Sequence, residues 1–263
     1  MQKSASVASE VIFSLEPLIF EKDSEPIHLE LQLDAKGEEG DVRDIVISRP
    51  NISWEIGLSL KHNHFAVKHS RLARTLDFGA KWFKDPCSSS YWNAVATIFD
   101  YLELEKNNQT EWKQIPGKEE NVYVPLLRAF MDEIKRNAKK EPMLPRKMVQ
   151  YLLGEYDFYK IISVDAKRYT EVESFNMYGT LNKPSKKQKP ARSIPIVELP
   201  TRIIDFNLKP NSNNTLELYL DKGWAFTFRI HNASIIVEPS LKFDIQIIGM
   251  PTTILVINYL WKD

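Results

Sequence analysis

Gly40-Asp41-Val42-Arg43-Asp44-Ile45-Val46-Ile47, followed by Trp54-Glu55-Ile56-Gly57-Leu58-Ser59-Leu60-Lys61, is the stretch on which the reading of this chain turns. Both halves read as short strands, and Arg49-Pro50-Asn51 between them is a turn signal, so together they predict a β-hairpin. Alternate residues of a strand face one way, which places Glu55, Gly57, Ser59 and Lys61 on a shared face. A turn near residue 51 sets Asp44 opposite Leu58 and Ser59, so Asp44, Ser59, Lys61 and either Glu55 or Asp41 are expected to converge. Such a cluster suits Mg²⁺-dependent phosphodiester hydrolysis. One or two carboxylates hold the hard cation and substrate phosphate completes its shell. Lys61 would orient or help deprotonate the attacking water and offset charge on phosphorus. Taken alone, an aspartate, a hairpin and a Ser-x-Lys form a weak motif, because charged residues are common on the exposed face of a hairpin.

The bulk composition sets wide bounds. With 263 residues, 43% hydrophobic and 27% charged, the chain has ordinary globular values and material for one large domain or two small ones. The formal net charge of zero excludes a strongly basic nucleic-acid binder on composition, but the local arrangement of charge decides the field at a binding face. A single cysteine, Cys87, excludes an internal disulfide and suits a reducing cytosol, so a cytoplasmic protein is expected. No run reaches the length of a membrane span, and Val11-Ile12-Phe13 is too short for a secretory signal.

Val7, Val11 and Leu15 predict an amphipathic helix over residues 4–16, ended by Pro17. Ile27, Leu29, Leu31 and Leu33 alternate with polar residues as a half-buried strand would. Residues 65–83, mixed apolar and basic, are expected to be helical, as are 91–104 and 124–139. The segment 181–193 carries Lys183, Lys186, Lys187, Lys189 and Arg192 between prolines, a basic loop and a candidate boundary. Beyond it, 215–248 reads as short strands with turns at Asp221-Lys222-Gly223 and Glu238-Pro239-Ser240.

Longer words sharpen the reading. The hairpin continues into Lys61-His62-Asn63-His64 and Lys68-His69-Ser70-Arg71-Leu72, then Asp77-Phe78-Gly79. Far downstream come Gly223-Trp224-Ala225-Phe226-Thr227-Phe228-Arg229-Ile230-His231-Asn232-Ala233-Ser234 and Val237-Glu238-Pro239-Ser240-Leu241-Lys242-Phe243-Asp244. On these words, which extend over most of its length, the chain resembles the HaeIII-type family of type II restriction endonucleases, whose core belongs to the PD-(D/E)xK nuclease superfamily. The resemblance implies an α+β fold, a mixed sheet flanked by helices with a β-rich C-terminal region. Residues 1–180 would hold the nuclease core with helical insertions, and 194–263 the region for DNA recognition within the same compact unit.

Carried over by position, Asp44 takes the superfamily's metal-binding aspartate and Lys61 its catalytic lysine. Ser59 departs from the pattern, standing where an acid is expected. The second acid must come from elsewhere: Glu55 on the same face, Asp41 just upstream, or Glu10 on the first helix. His62-Asn63-His64 spells the name of another nuclease motif, but that motif disperses its residues over a ββα unit, and a contiguous string is not it. His62, His64, Lys68, His69 and Arg71 are instead expected to begin a basic helix that tracks phosphates or reads bases, and Asn63 is a further candidate for DNA contact.

For double-stranded DNA, the loop lysines Lys186 and Lys187 and the cluster Lys139, Lys140, Arg146 and Lys147 are candidates for phosphate contact, and Arg229, His231 and Asn232 for base reading. Arg229 and His231 share a strand face opposite Phe228 and Ile230. The resemblance also implies a short G/C palindrome as target, GGCC in the type member, a homodimer matched to its symmetry, and a partner DNA methyltransferase. Two other readings stay open: a sequence-specific DNA-binding protein that has lost cleavage through Ser59, and a less specific repair or recombination nuclease.

Overall fold

A computed structural model describes residues 2–21, 26–33, 41–63 and 66–261. In chain order its elements begin with α1 (Gln2–Leu15), β1 (His28–Leu31), β2 (Ile45–Arg49), β3 (Trp54–His62) and β4 (Ala66–Ala73). Four helices follow: α2 (Phe78–Phe83), α3 (Ser89–Asn107), α4 (Val124–Ala138) and α5 (Leu144–Leu153). Then come β5 (Phe158–Val164), β6 (Tyr169–Phe175), β7 (Ile203–Leu208), β8 (Thr215–Leu220), β9 (Ala225–His231), β10 (Ser240–Gly249) and β11 (Val256–Leu260). The chain is α+β and divides into two compact units, one of residues 1–65, 153–199 and 251–263, the other of 66–152 and 200–250.

The first unit is built on a six-stranded sheet in the order β1-β2-β3-β5-β6-β11. Its pairings are antiparallel except β3 with β5, which run parallel. The predicted hairpin is β2–β3, turned by Pro50–Ile52 and by Ser53 in the left-handed region at φ 49°. Proline fixes its own φ for the turn and lacks the N–H a continuing strand would use. α1 buries Ala8, Val11, Ile12 and Leu15 against Ile47, Trp54, Ile56, Tyr159 and Ile161 of the sheet. Its side chains at three- and four-residue spacing form the apolar stripe expected of such a helix. β1 is a strand as predicted, but not half-buried: Leu29 and Leu31 are 65% and 71% exposed. Alternation reveals a strand, not what covers it, and this strand lies at the sheet's edge with β2 as its neighbour.

The second unit holds a five-stranded antiparallel sheet, β4-β10-β9-β8-β7, with helices α2, α3 and α4. Its core is aromatic: Phe130 lies 5.6 Å from Phe228 and 5.0 Å from Phe243, and Trp82 stacks on Tyr151 at 5.1 Å. Asp77 caps α2 by accepting from Ala80 N, and Ser88 caps α3 by accepting from Tyr91 N, each satisfying a helix-start donor. The buried Glu133 of α4 accepts from both the backbone and the hydroxyl of Ser88, tying α4 to that cap.

One expectation is corrected here. Residues 66–73 form strand β4 rather than the start of a basic helix; the helix comes later, at 78–83. β4 pairs along β10, which places Ser70 and Leu72 opposite Phe243 and Leu241 on the buried side and Arg71 opposite Lys242 on the other. That long-range pairing decides the conformation where local sequence allowed either. No described helix is long and apolar enough to cross a membrane.

Candidate active site and polar sheet faces

The two faces of the first unit's sheet differ in kind. Ile45, Ile47, Trp54, Ile56 and Leu58 turn toward α1. Because residues paired across neighbouring strands share a face, the other face carries Glu55, Gly57, Ser59 and Lys61 of β3. Asp44 lies at the entrance to β2, its N–H donating to the Leu58 carbonyl. Its Oδ2 accepts from Leu60 N at 2.5 Å and lies 3.6 Å from Lys61 Nζ. The predicted aspartate and lysine are therefore side by side, with Asp44 about half exposed and Lys61 less so.

Arg43 changes what the remaining acids can do. Its guanidinium takes Asp41 through Nε at 2.8 Å and Nη2 at 2.7 Å, and Glu55 through Nη1 at 2.7 Å. The group also lies 3.8 Å from the ring centroid of Tyr156. Arg43 crosses directly over Gly57, where a Cβ would stand 2.0 Å from its Cδ. Any side chain at position 57 would displace the arginine. Asp41 thus spends both oxygens on Arg43, while Glu55 commits Oε1. Glu10 lies on the exposed side of α1, whose buried side packs on the sheet face opposite Asp44 and Lys61.

Among the described residues, no three His, Cys, Asp or Glu side chains form a metal-binding group. Asp44 offers one carboxylate beside Lys61, so a hard cation bound there would take most of its oxygens from phosphate and water.

Three charged residues give no signal in the sequence. Lys160 of β5 is in register with Ser59, and Glu173 of β6 with Lys160, so all three share the Asp44 and Lys61 face. Ser59, Lys160 and Glu173 are 2%, 3% and 4% exposed, and Lys160 Nζ lies 3.3 Å from Glu173 Oε2. Burial, together with neighbouring Glu171, pushes the Glu173 carboxyl above its ordinary range, opposed by Lys160. A third, Asp165, stands just past β5 and bonds His62 Nε2 at 2.6 Å, while its N–H donates to Asn63 Oδ1. The hydrogen bond from His62 holds the Asp165 carboxyl below its usual range.

The DNA candidates fall into distinct settings. His62 and Asn63 join Asp165 at the end of β3, and His64 lies outside the described residues. Lys68 turns to the inner side of its sheet, donating to the Tyr151 carbonyl at 2.9 Å and lying 3.9 Å from that residue's ring centroid. Burial, with Lys81 nearby, lowers its pKa to about 8. Arg71 is exposed and reaches Ser240 Oγ at 3.2 Å. Arg229 is exposed on β9, and His231 shares its face. Asn232 has its amide engaged at both ends, accepting from Tyr123 OH and donating to the Ser234 carbonyl. Lys186 and Lys187 are exposed on the loop, with Lys186 N donating to Glu21 Oε2.

The family model for the HaeIII restriction endonuclease matches residues 1–251. The chain belongs to the HaeIII restriction endonuclease family. It is 55% identical over 262 residues to the type II restriction enzyme HaeIII of Haemophilus aegyptius, an alignment covering 99% of this chain and 82% of that enzyme. Membership carries the activity class, a type II restriction endonuclease. No solved structure matches the chain.

Proposed function

We propose that this endonuclease cleaves double-stranded DNA within a short G/C palindrome, GGCC, by Mg²⁺-assisted attack of water on a phosphodiester. The observation that carries the catalytic assignment is the approach of Asp44 and Lys61 to 3.6 Å on the sheet face opposite α1. A PD-(D/E)xK core is supported by the order of elements: an opening helix, an antiparallel hairpin bearing both residues, and a later strand parallel to β3.

In this reading Asp44 would hold Mg²⁺ with the remaining oxygens supplied by phosphate and water, while Glu55, opposite Ser48 and about 14 Å along β3 from Ser59, stays on Arg43. When bound, the cation offsets phosphate charge and lowers the pKa of water. Lys61 orients the attacking water and balances charge growing on the phosphoryl oxygens. Asp44 in turn fixes the ammonium beside the scissile group. Arg71 and Arg229 contact DNA from the second unit, and Lys186 and Lys187 add phosphate contacts. A homodimer would match the palindrome, a DNA methyltransferase protecting the same site would be the functional partner, and both would work in the cytoplasm.

The alternative of a binding protein without cleavage is favoured by one observation, the serine at position 59 in place of an acid. Unmethylated plasmid incubated with the protein in Mg²⁺, beside an EDTA control, separates the readings. Discrete Mg²⁺-dependent fragments ending at GGCC are expected. Intact plasmid that shifts on a gel would favour the binding protein, and a smear would favour a less specific nuclease.

A further inference from the structure

The outer face of the second unit's sheet is arranged as rows of polar side chains. Arg71, Lys242 and His231 stand in register across β4, β10 and β9. The next row along the strands brings Asp244 beside Arg229 and Thr215, and the next Gln246 beside Thr227 and Glu217. The opposite side of these strands is apolar, with Phe226, Phe228, Ile230, Leu241, Phe243 and Ile245 buried. Rows two residues apart are about 6.8 Å apart on a strand, a spacing of about two base-pair steps. β4 is the sheet's edge, so β4 and β10 form a two-stranded ribbon along that edge, the kind of element a major groove admits.

Most of the side chains on this ribbon and on β9 are donors or cations. Asp244 is the exception. Among the described residues it is the sole carboxylate on the outer face of β4, β10 and β9. Its Oδ2 lies 3.7 Å from His231 Nε2, and the His231 Nδ1–H donates to the Asn232 carbonyl at 2.9 Å. The imidazole is therefore fixed from behind with Nε2 aimed at the carboxylate, and that nitrogen, buried, makes no hydrogen bond. The side chain of Asp244 keeps about a quarter of its surface open.

We propose that Asp244 reads a cytosine of the target by accepting a hydrogen bond from its N4 amino group. Arg229 and Arg71 beside it donate to guanine O6 and N7. A G/C site presents guanine acceptors and cytosine amino donors in the major groove, and among the described residues on the outer face of β4, β10 and β9 Asp244 is the carboxylate that can accept from the latter. A carboxylate set among cations avoids the electrostatic penalty it would otherwise meet near phosphates. The inference rests on the reading of the chain as a GGCC-directed endonuclease and adds the residue that distinguishes cytosine.

The test is a cycle of two changes, read as cleavage rate in Mg²⁺ and as binding in Ca²⁺. One change is Asp244→Ala, with Asp244→Asn and thermal melting as fold controls. The other replaces each cytosine of GGCC in turn by 2-pyrimidinone, which lacks the N4 amino group. The wild type is expected to lose about 5- to 150-fold on one of the two substituted duplexes. Asp244→Ala should lose as much on the natural site and nothing further on that duplex. Losses that multiply on both duplexes would overturn the assignment, as would an equal weakening on unrelated DNA. Wild-type protein that cleaves nothing at GGCC would remove the underlying reading, and this inference with it. Cleavage at GGCC without coupling would remove the inference alone.

Discussion

Each unit carries one sheet with a polar face, and the two differ in how their charged residues are covered. On the first, Ser59, Lys160 and Glu173 lie in register and are almost fully covered. On the second, Arg71, Arg229 and Gln246 are open to solvent. Burying an ion pair costs several kcal/mol per charge before the partner offsets it, so the first arrangement needs close pairing and the second does not. The contrast separates two tasks. Chemistry on phosphate gains from charges fixed where water is scarce, whereas reading bases needs charges that DNA can reach.

The largest expected effect belongs to the first unit's face. Lys61→Ala should lower cleavage by about 10²–10⁴-fold, the usual weight of one well-placed catalytic group, while binding in Ca²⁺ stays near wild type. Equal losses of binding and cleavage would make Lys61 structural. Lys160→Met should destabilise the fold by about 3–5 kcal/mol in urea titration, because Glu173 is left buried beside no cation. Adding Glu173→Leu should restore most of that loss. If the double variant is as unstable as the single one, the pair is not the electrostatic unit described.

Glu16 offers a sharper test of burial. It is fully covered, accepts from Tyr159 OH at 2.5 Å and Asn182 N at 2.6 Å, and burial raises its pKa to about 7. The native state therefore binds this proton more tightly than the unfolded chain. Stability is full below about pH 4.5, falls as pH rises through about 7, and is flat above it. The span is roughly 3 kcal/mol. Glu16→Gln keeps an acceptor for both donors and should remove this slope from urea midpoints taken between pH 5 and 8. A slope unchanged in the variant would assign it to another group.

The smallest effect is expected on the open face. Arg229→Ala should leave stability unchanged and narrow the preference for GGCC over a one-base variant by about 1–3 kcal/mol. A uniform loss on every duplex would mean a phosphate contact instead.

What could be read beforehand follows from how local each feature is. α1, the hairpin and the strands after Thr215 announce themselves by period and turn residues, and the side-by-side placement of Asp44 and Lys61 follows from hairpin register. The face shared by Arg229 and His231 follows from alternation alone. Strand β4 was hidden because its partner β10 lies about 170 residues onward, and its basic residues fit a helix as easily. The capture of Asp41 and Glu55 by Arg43 left one visible trace, a glycine at position 57. Lys160 and Glu173 left none, since a lysine and a glutamate in separate strands look like ordinary surface positions until the strands are paired.

The interleaving of the two units constrains how the molecule can change. The chain passes from one unit to the other four times, at residues 65/66, 152/153, 199/200 and 250/251. Neither unit is a contiguous gene segment, so the second unit cannot be exchanged whole as one stretch of coding sequence. Variation in target among relatives would have to accumulate side chain by side chain on a retained ribbon. An engineer seeking a different site faces the same restriction, and would do better to mutate the rows on β4, β9 and β10 than to transplant a domain.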